Sequence, residues 1–109
     1  MFGRLQRTVL WEIYVPVRDN AGIDFALEHH KAWDAYVTEI SNGLTLLKCV
    51  RGLWFDSTKR SYQEEMIPVR IACRSRDIKK IAEFSARHYE QKAIFYYRVS
   101  NRVAVFHAT

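Results

Sequence analysis

The chain has 109 residues and a mass of 12.9 kDa, which is the size of one ordinary domain. Apolar residues make up 49% and charged residues 27%, with only 4 Gly and 2 Pro, so a collagen-like, low-complexity or disordered chain is excluded. The net charge of +5 suits nucleic acid, an anionic ligand or simple solubility without choosing among them. We therefore expect one folded domain over residues 1–109.

The predicted elements begin with a strand at residues 8–17, which are β-branched and aromatic. A helix is predicted from a cap at Asp24 to about Ser41, because apolar residues recur there at three- and four-residue spacing. Residues 44–55 and 62–73 are predicted to form the two strands of a hairpin.

Pro68 cannot donate a hydrogen bond to a ladder, so we expect a bulge or a locally unpaired position in the third strand. A second helix is predicted from Ser75 or Asp77 to about Tyr89. Residues 92–99 follow as a strand, and after a turn at 100–102 residues 103–106 are a candidate short fifth strand. This order predicts a ferredoxin-like α+β sandwich, in which two helices cover one face of an antiparallel sheet.

Cysteine use and the lack of long apolar runs bear on the compartment. Cys49 and Cys73 lie in strand-like runs without C-x-x-C spacing, so we expect two buried free thiols, the alternative being a bridge between neighbouring strands. Arg4 and Arg7 interrupt the start of the chain, and no apolar run approaches the ~20 residues of a membrane span. These features predict a cytoplasmic protein without a membrane partner.

The predicted sheet carries more apolar surface than two helices can cover. Leu10 and Tyr14 lie on the side of the first strand opposite its fully apolar face, and the second and fourth strands are apolar on both sides. Exposure of such a surface would forfeit ~1.5–3 kcal/mol for each large side chain. We expect a second copy of the chain to cover the open face as a homodimer, the alternative being that the chain folds its own hairpin and terminal strand over it.

Charged and phenolic side chains are predicted on the same open face. A carboxylate, cations and phenols in a half-buried cleft could bind an anionic small molecule through charge-assisted hydrogen bonds, although they could equally form salt bridges around a dimer seam. The predicted ligand-binding residues are Glu12, Tyr14, Arg70, Tyr96 and Arg98, with Lys48 as a further candidate.

Other chemistry has less support in the sequence. His29 falls on the apolar stripe of the first helix, where a partly buried structural histidine or a general base would fit. No two histidines have the i, i+4 spacing of metal ligands, and no Gly-rich phosphate loop is present, so neither a metal nor a cofactor is expected. RNA recognition motifs share the predicted topology, but residues 64–73 (EEMIPVRIAC) lack their aromatic signature, which leaves base stacking to Tyr14 and Tyr96.

Several short motifs follow the predicted elements: Gly43-Leu44-Thr45, Gly52-Leu53-Trp54, Glu65 and Gln91. With this order of motifs, residues 8–106 resemble a family of small bacterial and phage proteins of unknown function. The resemblance implies only the fold, since the family brings no activity. It marks Glu65 and Gln91 as candidate site residues, with turn anchoring as the alternative role.

Without a catalytic constellation, the sequence favours a non-catalytic binding or regulatory module that acts as a homodimer through its open sheet face. One alternative is a small acid–base enzyme for an anionic small molecule, using Glu12, Tyr14, His29 or Glu65. The other is a nucleic-acid-binding domain that uses the tyrosines and arginines of the open face.

Overall fold

A computed structural model describes residues 3–55 and 57–108 of the chain. The elements are β1 (Arg4–Pro16), α1 (Leu27–Ile40), β2 (Leu44–Leu46), β3 (Val50–Phe55), β4 (Ser61–Ala72), α2 (Ser75–His88) and β5 (Tyr96–His107). The strands form one antiparallel sheet in the order β2-β4-β1-β5, with β3 pairing to the first half of β4, and the two helices pack against one face. This arrangement confirms the ferredoxin-like α+β sandwich.

The core lies between the sheet and the helices and follows the alternation of strand side chains. Trp11, Ile13 and Val15 on β1 are buried beside Val69 and Ile71 on β4. The helices complete the core with residues at three- and four-residue spacing, namely Trp33, Val37, Ile78, Ile81 and, at the end of α2, Ser85 and Tyr89. Each large apolar side chain buried here contributes ~1.5–3 kcal/mol.

The two indole donors of the core have partners. The indole Nε1 of Trp33 donates to Ser85 Oγ at 2.8 Å, and Ser85 Oγ in turn donates to the Ile81 carbonyl at 2.6 Å. The indole Nε1 of Trp11 donates to the Cys73 carbonyl at 3.0 Å. Helix α1 is thereby joined to α2, and β1 to the end of β4, by directional bonds as well as by apolar contact.

The second predicted strand is divided, and the division lies opposite Pro68. Leu46 pairs with Val69, the next paired residue is Val50 opposite Met66, and Leu47 N donates to the Pro68 carbonyl at 2.9 Å. The expectation of a locally unpaired position at Pro68 is confirmed on this side of β4, whereas on the other side Pro68 pairs with Tyr14 of β1. Because the ladder shifts by one residue across the break, even-numbered residues face the helices in β2 and the opposite side in β3.

The structure explains why two of the sequence motifs have glycine at positions 43 and 52. Gly43, directly before β2, has φ +139°, a conformation that a side chain would strain. A Cβ at Gly52 would lie 2.7 Å from Nε1 of Trp54, so the indole can fold over the strand only because residue 52 lacks a side chain.

Three predicted details are wrong. Residues 100–102 do not form a turn; β5 runs through them to His107, and two one-residue shifts in its pairing with β1 absorb the polar segment, so residues 103–106 extend the fourth predicted strand. Asp24 does not cap α1, which begins at Leu27 without a side-chain cap, because Asp24 forms an ion pair with Arg18 instead. Cys49 is exposed, whereas Cys73 is buried, and both are free.

Neither α1 nor α2, at 14 residues each, is long and apolar enough to cross a bilayer.

Candidate functional site

The centre of the open sheet face, the side away from the helices, is the carboxylate of Glu12. Its Oε1 accepts a hydrogen bond from Arg70 Nε at 2.9 Å, and its Oε2 accepts from the hydroxyls of Tyr14 and Tyr97, each at 2.7 Å. Glu12 is only 5% exposed, whereas the Arg70 side chain is 42% exposed. The arrangement holds a buried charge with complete hydrogen bonding on three neighbouring strands.

The hydrogen bonds determine the ionisation of this cluster. Burial acts to raise the pKa of Glu12, but the hydrogen bonds from Tyr14, Tyr97 and Arg70 and the charge of Arg70 outweigh it, so the pKa lies below its ordinary value. The same carboxylate accepts from both phenols and raises the pKa of Tyr14 and of Tyr97. At neutral pH the cluster therefore contains a carboxylate, a guanidinium and two neutral phenols.

The structure brings together three of the five predicted ligand-binding residues. Glu12, Tyr14 and Arg70 share the open face, but Tyr96 and Arg98 lie opposite Ile13 and Trp11 and therefore on the helix side. Their expected position beside Glu12 is wrong, because the register of β5 places Tyr97 there. Residues 94–97 are apolar or aromatic on both sides of the strand, so the sequence offered no clear signal for the register. Ligand binding by any of the five residues stays a prediction.

This separation also bears on base stacking. Tyr14 with Arg70 and Tyr96 with Arg98 occupy opposite sides of the sheet, so one nucleic-acid strand lying flat on either side cannot contact all four.

Apolar side chains surround the Glu12 cluster. The Phe95 ring lies 5.6 Å from that of Tyr14, 5.4 Å from that of Trp54 and 6.0 Å from that of Tyr97. Phe95 is 48% and Tyr97 40% exposed, and Val50 at the start of β3 is 43% exposed. The expected surplus of apolar surface is thus present on the open face.

A second candidate site is a cleft of about 470 Å³ at the end of the sheet where β1 ends and β4 begins. It includes both residues that the sequence motifs singled out, Glu65 and Gln91, although 26 positions separate them. The sequence did not predict the cleft itself, whose other lining residues are Pro16, Arg18, Asp19, Asn20, Gly22, Tyr62, Gln63 and Glu64.

The cleft walls are held by polar contacts between distant segments. Arg18 contacts Glu65 through Nη1–Oε1 at 3.3 Å and Asp24 through Nε–Oδ1 at 2.9 Å. Asn20 Nδ2 donates to the Glu90 carbonyl at 3.0 Å, and Gln91 Nε2 donates to the Tyr89 carbonyl at 3.0 Å. Gln91 therefore anchors its own turn and also lines the cleft, so both roles considered for it are compatible with its position.

The remaining candidates lie elsewhere. Lys48 is exposed in the segment between β2 and β3, outside the Glu12 cluster. His29 is half-buried between the helices, where its Nε2 donates to the His88 carbonyl at 2.7 Å. This hydrogen bond fits the structural interpretation of His29.

A larger depression of about 560 Å³ lies near the start of α2 and the end of α1. Its charged residues, Arg7, Glu39, Arg74 and Asp77, balance in sign, and Arg74 Nε already pairs with Asp77 Oδ2 at 2.9 Å. It offers no net charge to a ligand. Within residues 3–55 and 57–108 no group of three or more His, Cys, Asp or Glu side chains is placed to hold a metal ion.

No protein-family model matches the sequence, and no curated protein matches it. Solved structures do. A phage SAM lyase in complex with S-methyl-5'-thioadenosine superposes with a TM-score of 0.67 at 10% identity, over 97% of this chain and 94% of that one. CutA1 from a psychrotrophic Shewanella bacterium gives 0.60 at 11% identity over 85% and 79% of the two chains, and the divalent cation tolerance protein CutA1 from Thermus thermophilus gives 0.60 at 10% over 87% and 84%. At these identities the likeness shows the fold, which is ferredoxin-like α+β.

Proposed function

We propose that the cleft binds S-adenosylmethionine and that the chain cleaves it to S-methyl-5'-thioadenosine. The observation that carries the proposal is the charge of the cleft. Its lining has three carboxylates, Asp19, Glu64 and Glu65, against one cation, Arg18, in a chain whose net charge is +5. Such a cleft favours a cationic ligand over the anionic one expected from the sequence, and a sulfonium is a cation.

The shape of the fold and the other lining residues support the same ligand. A SAM lyase with S-methyl-5'-thioadenosine bound is one of the solved structures that share the fold, and the superposition covers 97% of this chain and 94% of that one. The carboxamides of Asn20 and Gln91 carry both donors and acceptors, as the edge of adenine and the ribose hydroxyls require. Tyr62 adds an aromatic ring to the same cleft, and aromatic rings stack on bases.

Cleavage of S-adenosylmethionine depends more on how the substrate is positioned than on a strong base. The bond between the sulfonium sulfur and Cγ of the amino-acid chain breaks, and its electron pair goes to sulfur, which leaves a neutral thioether. The carboxylate of the substrate forms the new bond to Cγ and closes a five-membered lactone, so no water or other reactant is consumed. The protein contributes by holding the sulfonium near carboxylates and the substrate chain in a folded conformation.

Calorimetric titration with S-adenosylmethionine and with the neutral S-methyl-5'-thioadenosine, together with chromatography of the products, tests the proposal. Glu64→Gln and Glu65→Gln are each expected to weaken binding of the sulfonium about tenfold, the equivalent of about 1.4 kcal/mol, because a nearby charge is lost. Binding of the neutral thioether is expected to change less than twofold.

Glu83→Gln is the matched control, since Glu83 is exposed on α2 and outside the cleft. The proposal fails if neither nucleoside binds at millimolar concentration, or if the control weakens binding of the sulfonium as much as the cleft variants do. If S-adenosylmethionine binds but no product forms, the proposed ligand is correct and the proposed lyase activity is refuted.

The open face supports a second candidate function, a binding or regulatory module that acts as a homodimer. The observation in its favour is the exposure of Phe95, Tyr97 and Val50 around a polar cluster that is already complete within one chain. A copy of the same face would cover these side chains and meet a Glu12–Arg70 pair whose charges already balance. The mass in solution tests this candidate, and a dimer is expected at micromolar concentration.

A further inference from the structure

We propose that the side chain of Gln91 selects the base of the ligand, so that the cleft binds nucleosides of 6-aminopurines and rejects those of 6-oxopurines. The inference deepens the proposed function and rests on it, because it concerns the base of the same adenine nucleoside. It assigns the carboxamide oxygen of Gln91 to the amino group that distinguishes adenine from hypoxanthine.

The orientation of the Gln91 carboxamide is fixed by a backbone carbonyl. Its Nε2 donates to the Tyr89 carbonyl at 3.0 Å. Because a carbonyl oxygen only accepts hydrogen bonds, the nitrogen of the carboxamide and not its oxygen must face Tyr89. The backbone N of Gln91 also donates to the Ala86 carbonyl at 2.8 Å, so the residue is held against the end of α2.

Asn20, on the other wall of the cleft, is oriented in the same way. Its Nδ2 donates to the Glu90 carbonyl at 3.0 Å, which determines that Oδ1 is on the other branch of the carboxamide. Gln91 Nε2 donates its second hydrogen to that Oδ1 at 3.4 Å. Both hydrogens of the Gln91 carboxamide are therefore engaged within the chain.

Gln91 consequently presents an acceptor to the cleft. Within residues 3–55 and 57–108 its Oε1 has no hydrogen-bond partner, and the side chain is half-buried in the cleft lining. The carboxylates of Asp19, Glu64 and Glu65 in the same lining are acceptors as well. The cleft is thus better suited to the hydrogen-bond donors of a ligand than to its acceptors.

The carboxamide cannot turn over to offer a donor instead. Rotation by half a turn would set Oε1 against the Tyr89 carbonyl and against Asn20 Oδ1, which would replace two hydrogen bonds by two contacts between acceptors. Asn20 acts here as a positioning residue, since it affects the base through the orientation of Gln91.

Adenine and hypoxanthine differ in the group at C6 that would meet this acceptor. Adenine has an amino group, which donates, whereas hypoxanthine has a carbonyl, which accepts. A carbonyl opposite Oε1 places two acceptors together and leaves both without a donor. Hypoxanthine also has a hydrogen on N1, but the whole base would have to shift along the wall for that hydrogen to reach Oε1.

Calorimetric titration of the wild type with S-methyl-5'-thioadenosine and with its deaminated analogue, 5'-deoxy-5'-methylthioinosine, tests the inference. Both probes are uncharged and share the ribose and the thioether, so they differ only in the base. The deaminated probe is expected to bind at least tenfold more weakly, because it loses a hydrogen bond and leaves the acceptor unpaired. Equal affinities in the wild type would overturn the inference without any variant.

Gln91→Met removes the acceptor at nearly the same side-chain length, and the ratio of the two affinities should fall below threefold. Gln6→Met is the matched control, since Gln6 pairs with His107 at 2.9 Å near the opposite end of β1 from the cleft, and it should keep the wild-type ratio. Asn20→Ala, which frees the Gln91 carboxamide to turn, replaces Gln91→Met if the latter does not fold and should also reduce the ratio. An unchanged ratio in the foldable variant would refute the role of Gln91.

The outcomes separate this inference from the proposed function. If neither probe nor S-adenosylmethionine binds at millimolar concentration, the proposed ligand is wrong and base selection by Gln91 is refuted with it. If both probes bind equally well, the cleft binds the nucleoside but Gln91 does not select the base. If the amino probe is preferred and S-adenosylmethionine is not cleaved, the lyase activity is refuted and the base selection stands.

Discussion

Glu12 is the residue whose surroundings decide the character of the open face. A buried carboxylate is costly unless it is paired and hydrogen-bonded, and here Arg70 and two phenols meet both of its oxygens. Its lowered pKa means that the folded state favours the charged form. The cluster consequently contributes stability above the unfolded-state pKa of 4.5 and loses it as the pH falls through the lower value of the folded state.

The variant Glu12→Gln is expected to lower the free energy of unfolding at pH 7 by about 2 kcal/mol, since it removes hydrogen bonds to a charged group. Urea denaturation between pH 7 and pH 3 measures the effect, and the gap between wild type and variant should narrow below pH 4.5. Glu39→Gln, at an exposed position of α1, should change stability by less than about 0.5 kcal/mol. A gap that stays constant down to pH 3 would contradict the role given to the carboxylate.

The two thiols are expected to differ in reactivity. Burial raises the pKa of Cys73 to about 11, and its side chain is 1% exposed, whereas Cys49 is exposed. Because the thiolate is the reactive form, a disulfide reagent should modify one thiol rapidly in the folded protein and the second only in denaturant. Cys49→Ser should abolish the rapid phase, and two rapid thiols in the wild type would refute the burial of Cys73.

At the scale of elements, a short chain of hydrogen bonds lies buried in the seam between α1 and α2. Ser85 accepts from Trp33 and donates to the Ile81 carbonyl, and both side chains at the seam are fully buried. Replacement of Ser85 leaves the indole N–H without a partner in an apolar core, which costs the desolvation of that donor.

Ser85→Ala is therefore expected to destabilise the protein by about 2 kcal/mol in urea or thermal unfolding. Ser75→Ala on the same helix is the control, since Ser75 is exposed at its first turn, and it should cost less than about 0.5 kcal/mol. Equal losses in the two variants would show that the hydroxyl contact to Trp33 contributes nothing.

The elements also show what the sequence could predict. Periodicity found α2 and the core face of β1, because one apolar stripe or one alternating face dominates each. It failed at the start of β5, where residues 94–97 are apolar or aromatic on both sides, and Tyr96 was placed in the position of Tyr97. It also missed the one-residue shifts beside residues 99–102, which depend on pairing with a neighbouring strand rather than on local composition.

The candidate sites were predictable to different degrees. Strand alternation predicts that Glu12, Tyr14 and Arg70 lie on the same face of the sheet, so their cluster could be predicted from the sequence. The cleft was not, because a loop at 18–22, a hairpin strand and the end of α2 meet only in the folded chain. Motif resemblance marked Glu65 and Gln91 there but could not place Asn20 or Glu64 beside them.

At the scale of the whole molecule, which measures 57 × 30 × 24 Å, the open sheet face is the feature that favours self-association. A standard interface buries ~800 Å² on each partner. Its exposed side chains, Phe95 and Tyr97, are aromatic, and such groups contribute most when a partner buries them.

Light scattering at micromolar concentration is expected to give twice the 12.9 kDa mass of the chain. Phe95→Glu should reduce the mass to that of one chain, because it places a charge in the apolar part of the open face. Leu27→Glu is the control, as Leu27 is 62% exposed at the start of α1, on the other side of the sheet. A monomeric wild type would refute self-association through this face.

The pairing of Glu12 with Arg70 has a consequence for how the open face responds to ionic strength. The carboxylate and the guanidinium cancel within one chain, so the centre of the face presents a dipole and no net charge to whatever settles on it. Added electrolyte weakens attraction between opposite charges and leaves the burial of hydrocarbon almost untouched. Contacts made through this face should thus persist in concentrated salt, whereas the capture of a sulfonium in the acidic cleft should fade.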